Sequence, residues 1–259
     1  MGGQAQPAAA AQRTLDAAQV EAFYHDEFVA DQTRQFLELT RSAEAGVLVD
    51  VGGGCGFFAR RLQQLQPRWR VRVLDADARS VETARAAGVD AVRGDALRPD
   101  LHGDERMASF NLILHHLVAA SDAGTQQLQQ QALAAWRGQA RALFVNEYIY
   151  ESFVAELSGW LIYQVTSSRI LSWIGARLAR IAPAFKANTF GVGVRFRSHG
   201  DWERRVFVPA GWRVQQRLRG SDEPVSPAWR LLLIRSIHRD SFLLVPADDG
   251  GTGPAQPTP

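Results

Sequence analysis

The sequence predicts a doubly wound α/β fold: a mostly parallel seven-stranded sheet with an N-terminal helical cap and a helical insertion between strands 5 and 6. Three observations predict it. Short β-branched runs alternate with stretches of helical periodicity between residues 47 and 145, the rhythm of strand–helix–strand units in a parallel sheet. A glycine-rich turn, Gly52-Gly53-Gly54-Cys55-Gly56, directly follows the first run. A long apolar stretch over residues 153–181 then breaks the rhythm, and two more strand-like runs follow at 211–214 and 240–245.

The elements follow in order. Residues 14–42 place Leu15, Phe23, Tyr24, Phe28, Phe36, Leu37 and Leu39 among polar residues at roughly helical spacing, giving one or two amphipathic helices. Val47-Leu48-Val49-Asp50-Val51 is the first strand, and residues 57–65 form the helix after it. Residues 69–74 and 91–93 are strands on either side of a helix at 79–87. Residues 110–114 make the fourth strand, 125–136 a glutamine-rich helix and 142–145 the fifth strand. The 153–181 stretch repeats apolar residues at helical spacing and stops at Pro183, too long for a simple sheet connection. It is therefore read as part of an inserted helical lid over 151–197. The last two runs are strands suited to antiparallel pairing at one edge. The expectation is one domain over 13–246, with its cap over 13–45, between polar Pro/Gly-rich tails at 1–12 and 247–259.

Composition narrows the class. With 46% hydrophobic and 22% charged residues, the chain has the make-up of an ordinary globular protein with a real core. Its single cysteine, Cys55, excludes a disulfide framework and any multi-cysteine zinc site. The start, MGGQAQPAAAAQ, has neither the charged nor the apolar region of a secretory signal, and Gln6 breaks the myristoylation pattern. A cytoplasmic location is expected. The net charge of +2 conceals an uneven distribution: −4 over residues 1–45, +7 over 151–220. From residue 157 to 197 there are six cations and no acid, interleaved with Trp160, Tyr163 and Trp173. That pattern fits a lid with solvated arginines at its edge, or one that helps hold an apolar or anionic small molecule. A basic amphipathic helix resting on a membrane surface is the alternative. Charges at Glu156, Arg169, Arg177 and Arg180 interrupt the run and argue against a spanning helix. Aromatics set among aliphatics argue against nucleic-acid binding.

The glycine turn carries the chemistry. Glycines let the chain turn sharply after a strand and let a ligand approach the backbone, and the following helix offers free N–H groups. Starting at Gly52, the dinucleotide pattern G-x-G-x-x-G fails at Phe57; a looser match at Gly54, Gly56 and Ala59 keeps a NAD-type oxidoreductase open. Asp50 weighs against that reading. A carboxylate beside the loop repels a pyrophosphate but suits a ligand bearing an ammonium group, such as S-adenosylmethionine.

Asp50-x-Gly52-x-Gly54-x-Gly56 resembles motif I of the class I S-adenosylmethionine-dependent methyltransferases, here of the small-molecule type. Three further strings resemble the family in order. Asp75 ends the second strand, where the resemblance implies an acid on the cofactor ribose, with Asp77 as the alternative. Gly94-Asp95-Ala96 follows the third strand, where it implies a carboxylate near the adenine amino group. Residues 110–116, FNLILHH, resemble the fourth strand, with Asn111 in place of the usual aspartate. The implied cofactor is S-adenosylmethionine, held by Asp50, Gly52, Gly54, Gly56, Asp75, Asp95, Ala96 and His115.

Methyl transfer needs alignment and exclusion of water more than a fixed set of catalytic groups. The candidates are His115 and His116 after the fourth strand and Glu147, Tyr148 and Glu151 after the fifth, with His116, Glu147 and Tyr148 taken as the catalytic set; His199 is read as structural and Cys55 as no nucleophile. No metal is expected, since no carboxylate cluster suggests a catechol-type site. The predicted activity is methylation of oxygen, nitrogen or carbon on a small molecule. The alternatives are the oxidoreductase and a non-catalytic membrane- or partner-binding module.

Overall fold

The computed structural model describes residues 27–168 and 193–247. Helix α1 (Val29–Leu39) precedes strand β1 (Val47–Val51), helix α2 (Phe57–Leu65), β2 (Arg70–Asp75), α3 (Ala78–Ala86), β3 (Asp90–Arg93) and β4 (Glu105–Asn111). Then come α4 (Asp122–Ala134), β5 (Ala142–Ser152), α5 (Leu157–Ser167) and the short α6 (His199–Trp202). The chain closes with β6 (Trp212–Leu218), the two-residue β7 (Asp222–Glu223), α7 (Pro227–Arg230) and β8 (Ile234–Pro246). The strand order is β3-β2-β1-β4-β5-β8-β6, with β7 pairing to β8. The first five strands are parallel, and β8 enters antiparallel between β5 and β6. The predicted fold class therefore stands, with a short eighth strand added.

The sheet is covered on both faces, as the strand–helix rhythm requires. On one face α1, α2 and α3 pack over Leu48, Val71, Val73 and Phe144. On the other, α4 packs with Trp136, Trp202, Phe207 and Trp212. Helix α1 is part of this structure. Phe36 is fully buried, its ring 5.2 Å from Phe144, 5.4 Å from Trp69 and 5.8 Å from Phe58. Beside it, Gln35 Oε1 accepts from the Ser241 hydroxyl, and Gln32 donates to Asn146 Oδ1 at 3.3 Å. These bonds satisfy polar groups that burial would otherwise leave unpaired.

Several sequence-based boundaries need correction. The fourth strand ends at Asn111: Leu112 takes a positive φ of 56°, and Leu114–His116 form a 3₁₀ turn. His115 and His116 therefore sit on a turn. The fifth strand runs seven residues beyond the expected 145, and the last strand starts at Ile234, not 240. β4 accompanies β5 only as far as Asn111↔Asn146, so β5 and β8 continue together past the parallel strands to Ser152↔Ile234. Within the insertion, α5 is helical as expected, but residues 194–198 are extended along the free edge of β5. There Tyr150 N donates to Arg197 O at 3.1 Å. Arg195 and Arg197, read as solvated cations, are buried and paired with Asp122 and Asp201. Leu15, Phe23, Tyr24, Trp173, Arg169, Arg177, Arg180, Lys186 and the residues 1–12 and 248–259 lie outside the described residues. Among the described residues, no helix is long and apolar enough to cross a membrane.

Truncating Phe36 removes the ring around which three other aromatics close. Phe36→Ala is expected to cost about 3–5 kcal/mol, read as a lowered midpoint in urea unfolding. A cost under 1 kcal/mol would mean that α1 is not part of the cooperative core.

Candidate functional site

The carboxyl ends of the parallel strands converge on the glycine turn, the place where open α/β sheets bind ligands. Gly52, Gly54 and Gly56 all have positive φ, between 54° and 76°, a conformation that only glycine adopts without strain. The turn is pinned from β2: Gly52 N donates to Leu74 O at 2.7 Å, and Gly54 N to Asp75 Oδ2 at 2.9 Å. Asp75 Oδ1 accepts from Asp77 N at 2.8 Å. A Cβ on Gly52 would overlap Ile113, whereas one on Gly54 would meet nothing within 4 Å. The loop is thus packed on one side and open on the other.

Beside it lies a cleft of about 80 Å³, lined by Gly52, Asp75, Gly94, Asp95, Ala96, Ile113 and Leu117, among others. Five of these were singled out by sequence. The volume is below the ~300–1000 Å³ of ordinary ligand pockets, and Ile113 and Leu117 give the cleft an apolar side. Asp95 is exposed and also forms a local turn, its Oδ1 accepting from Leu97 N at 2.8 Å. Asp77 caps α3 through Ser80 and is not free for another partner at that oxygen. Cys55 is buried, and that burial pushes its thiol pKa up.

Asp50 sits under the loop at 1% exposure. Its Oδ1 accepts from Ser109 Oγ at 2.8 Å and from Asn111 Nδ2 at 3.0 Å. Its Oδ2 is buried with no hydrogen-bond partner and lies where a Cβ on Gly53 would collide with it. Burial pushes this carboxyl up to about 6, against the lowering effect of Ser109 and Asn111. Asn111 explains itself here: an aspartate in its place would set a second carboxylate within about 3 Å of the first, whereas the amide donates.

On the far side of β4, Glu147 is fully buried and does not face solvent. Its Oε1 accepts from Leu114 N at 2.7 Å, and its Oε2 lies 2.6 Å from His115 Nδ1. The turn it holds is fixed from behind by Gln129 Nε2, which donates to Leu114 O at 3.0 Å, and by Arg195 N, which donates to His115 O at 3.0 Å. The His115 ring lies 4.1 Å from His116, 4.9 Å from Phe196 and 6.0 Å from Tyr148. Burial and His115 together hold the His116 imidazole well below its usual range. Burial raises the Tyr148 phenol to about 12. Phe196 and Tyr150, stacked at 4.2 Å, were not legible as site residues, because their partners come from distant segments.

The structure thus brings Gly52, Asp75, Asp95 and Ala96 around one cleft, with Asp50 buried under the turn that Gly54 and Gly56 complete, and His115, His116, Glu147 and Tyr148 around the neighbouring turn. Ile113 and Leu117, which line the cleft, flank that turn in sequence. Two features suit the implied cofactor: Gly54 leaves space where a side chain would project, and Asp50, beneath the loop, carries a buried carboxylate oxygen without a hydrogen-bond partner.

Residues 16–134 match the family described as methyltransferase small domain. Among solved structures, the mitomycin 7-O-methyltransferase MmcR has a TM-score of 0.52 at 15% identity, covering 85% of this chain and 54% of its own. CalO1, a methyltransferase in calicheamicin biosynthesis solved with SAH bound, gives 0.50 at 18% identity, covering 89% and 59%. Geranyl diphosphate methyltransferase gives 0.52 at 13% identity, covering 88% and 82%. The chain spans between half and two thirds of the length of the first two, and at these identities the likeness is one of fold. A comparison with curated proteins finds no match. The family match falls on the strands that build the cleft, so residues 16–134 are similar to the methyltransferase small domain, and the likeness in fold to methyltransferases of known structure covers the rest of the sheet.

Proposed function

We propose that the protein transfers the methyl group of S-adenosylmethionine to a hydroxyl of an apolar, aromatic-stacking small molecule, with His115 as general base. The observation that carries this reading is the Glu147–His115 pair beside the glycine-loop cleft. Glu147 has both oxygens engaged, so it is a positioning residue. It accepts from Nδ1, fixes the tautomer and leaves Nε2 as the basic nitrogen. A base is needed only where the acceptor carries a proton it does not lose readily, and a hydroxyl is the commonest such acceptor. The small molecules named for the structural neighbours support a small acceptor. Tyr148, Phe196 and Phe28 offer ring faces and edges to hold it.

When bound, the cofactor supplies an activated methyl group on its sulfonium. Asp75 and Asp95 are assigned to its nucleoside end, and Asp50, through the unpaired Oδ2, to its ammonium group. His115 Nε2 takes the hydroxyl proton as the acceptor oxygen gains the methyl. His116, kept neutral by its surroundings, is a poor base, which exchanges the roles assigned to the two histidines by sequence. Tyr148 stays a neutral phenol and serves as a hydrogen-bond donor. A pyrophosphate against this loop would meet the Asp50 carboxylate, which argues against the dinucleotide reading.

Two outcomes follow. A panel of hydroxylated aromatics incubated with labelled S-adenosylmethionine should yield methylated product. His115→Ala is expected to lower kcat by about 10²–10⁴ while SAH binding stays within twofold; an unchanged kcat removes His115 as the base. Asp50 gives opposite signs for stability and binding. Its raised pKa means that its stability contribution is full below about 4 and is lost as pH rises through about 6. Asp50→Asn should therefore stabilise the ligand-free protein at pH 7.5 by about 1–3 kcal/mol. The same change should weaken SAH binding and abolish its strengthening between pH 5 and 7. Thermal unfolding with and without SAH measures both, and a variant that binds SAH like wild type overturns the assignment of Asp50.

A further inference from the structure

Past the end of the parallel strands, β5 and β8 carry a second cluster of polar side chains that the methyl-transfer reading does not use. Glu151 of β5, His238 and Asp240 of β8, and His199 at the start of α6 meet on one face of the ribbon. His238 and Asp240 are buried to 1% and 0% exposure, while the side chains of Glu151 and His199 each retain 22%. Asp240 is the hub. Its Oδ1 accepts from His238 Nδ1 at 2.6 Å and from Gly220 N at 3.2 Å, and its Oδ2 accepts from His199 Nε2. One nitrogen of each ring is therefore committed to the same carboxylate, which leaves His238 Nε2 and His199 Nδ1 as the nitrogens not bonded to Asp240. His199 Nδ1 already lies 3.2 Å from Glu151 Oε1. One ligand atom from each of Glu151, His199 and His238 can be chosen so that all lie within 4.8 Å of one another.

Two chemistries suit such a group. A charge clamp needs only the four side chains and the nearby Arg235, whose Nη2 is 3.6 Å from Glu151 Oε2. A metal site needs more: two imidazoles and one carboxylate converging, a carboxylate behind the imidazoles to fix their tautomers, and an open side for a further ligand. The first two features are present, and Glu151 and His199 are partly exposed. Donor atoms on a tetrahedral zinc, with bonds of ~2.0–2.2 Å, sit about 3.3 Å apart. The His199–Glu151 separation matches that, and all three ligand atoms lie within 4.8 Å of one another.

We propose that Glu151, His199 and His238 form a binding site for a divalent first-row transition cation, zinc above all, with Asp240 holding both imidazoles in place. The cation would tie the start of α6 to both strands of the ribbon that carries Glu147, four residues before Glu151. Sequence gave no sign of it: the ligands come from residues 151, 199 and 238, without the short spacings that mark a metal motif.

The full chain without a histidine tag, stripped with a chelator and dialysed, is titrated with Zn²⁺ by calorimetry, and with Co²⁺ by visible absorption. The expected result is one ion per chain, a rise in Tm with Zn²⁺, and visible Co²⁺ bands of a four-coordinate nitrogen–oxygen site. His199→Ala and Glu151→Gln, both at partly exposed positions, should each weaken Zn²⁺ binding by about 10–100-fold. Their far-UV spectra and SAH binding should remain those of wild type, showing that the fold persists. Arg235→Ala should bind Zn²⁺ at least as well as wild type. Wild-type protein that takes up no stoichiometric Zn²⁺, or Zn²⁺ binding unchanged in both ligand variants, overturns the proposal and leaves a charge clamp.

Discussion

The reversed strand β8, running antiparallel against β5, is the constraint on which the rest of the site depends. A parallel sheet ends where its strands end, but the β5–β8 ladder runs on from Asn146↔Ser241 to Ser152↔Ile234. That extension would leave the other edge of β5 unpaired, and open backbone edges in a folded interior are costly. Residues 194–198 close it, with Ile149 paired to Arg197 and Arg195 N bound to His115 O. The edge covering requires Arg195 and Arg197 to be buried, which in turn requires Asp122 and Asp201 beside them. One reversed strand thus accounts for the buried ion pairs, for the fixed turn at 114–116 and for the depth at which Glu147 sits.

The buried acids at this end of the sheet differ in how well they are satisfied, and that difference sorts their roles. Glu147 has a donor on each oxygen, one of them an imidazole. Asp75 has a backbone N–H on each oxygen, and burial still leaves its pKa raised. Asp50 has two donors on one oxygen and none on the other. A buried carboxylate without its full set of donors is an expensive group. Its cost falls when it takes a proton or when a cation arrives, and burial accordingly raises its pKa to about 6.

The glycine-loop half of the candidate site was legible because its residues are local. Asp50 and the glycines lie within seven positions, Asp75 ends β2, and Asp95 comes two residues after β3. Positive φ at three glycines and an acid at a strand end leave a mark in any sequence that uses them. The other half was not readable because β5 hides its own length. Asn146, Glu147 and Glu151 interrupt the apolar run after Val145, so the strand seems to stop there, yet each of these polar groups is held by a partner from elsewhere. Asn146 pairs with Gln32 and Ser241, Glu147 with Leu114 and His115, and Glu151 with His199. Polarity in these places reports tertiary pairing, which propensity and periodicity cannot see.

The two-residue period of the ribbon also explains why polar and aromatic groups separate so cleanly around the turn. Side chains at 147, 149 and 151 project to one face, together with their cross-strand partners Asp240, His238 and Ser236. Tyr148 and Tyr150 project to the other, where Phe196 stacks on Tyr150 and Phe28 meets Tyr148 edge-on. His115 stands at the edge that β4 vacates, in contact with Glu147 from the first face and with Tyr148 and Phe196 from the second. An imidazole so placed has its tautomer fixed by a carboxylate on one side and an apolar aromatic surface on the other. Aromatic walls exclude water from an acceptor lying against them, and a fixed tautomer keeps the basic nitrogen available without reorganisation. A shift of one residue in the β5–β8 register would put carboxylates among the rings and rings among the ions. The register therefore fixes which groups meet His115 as firmly as the identity of any side chain on the ribbon.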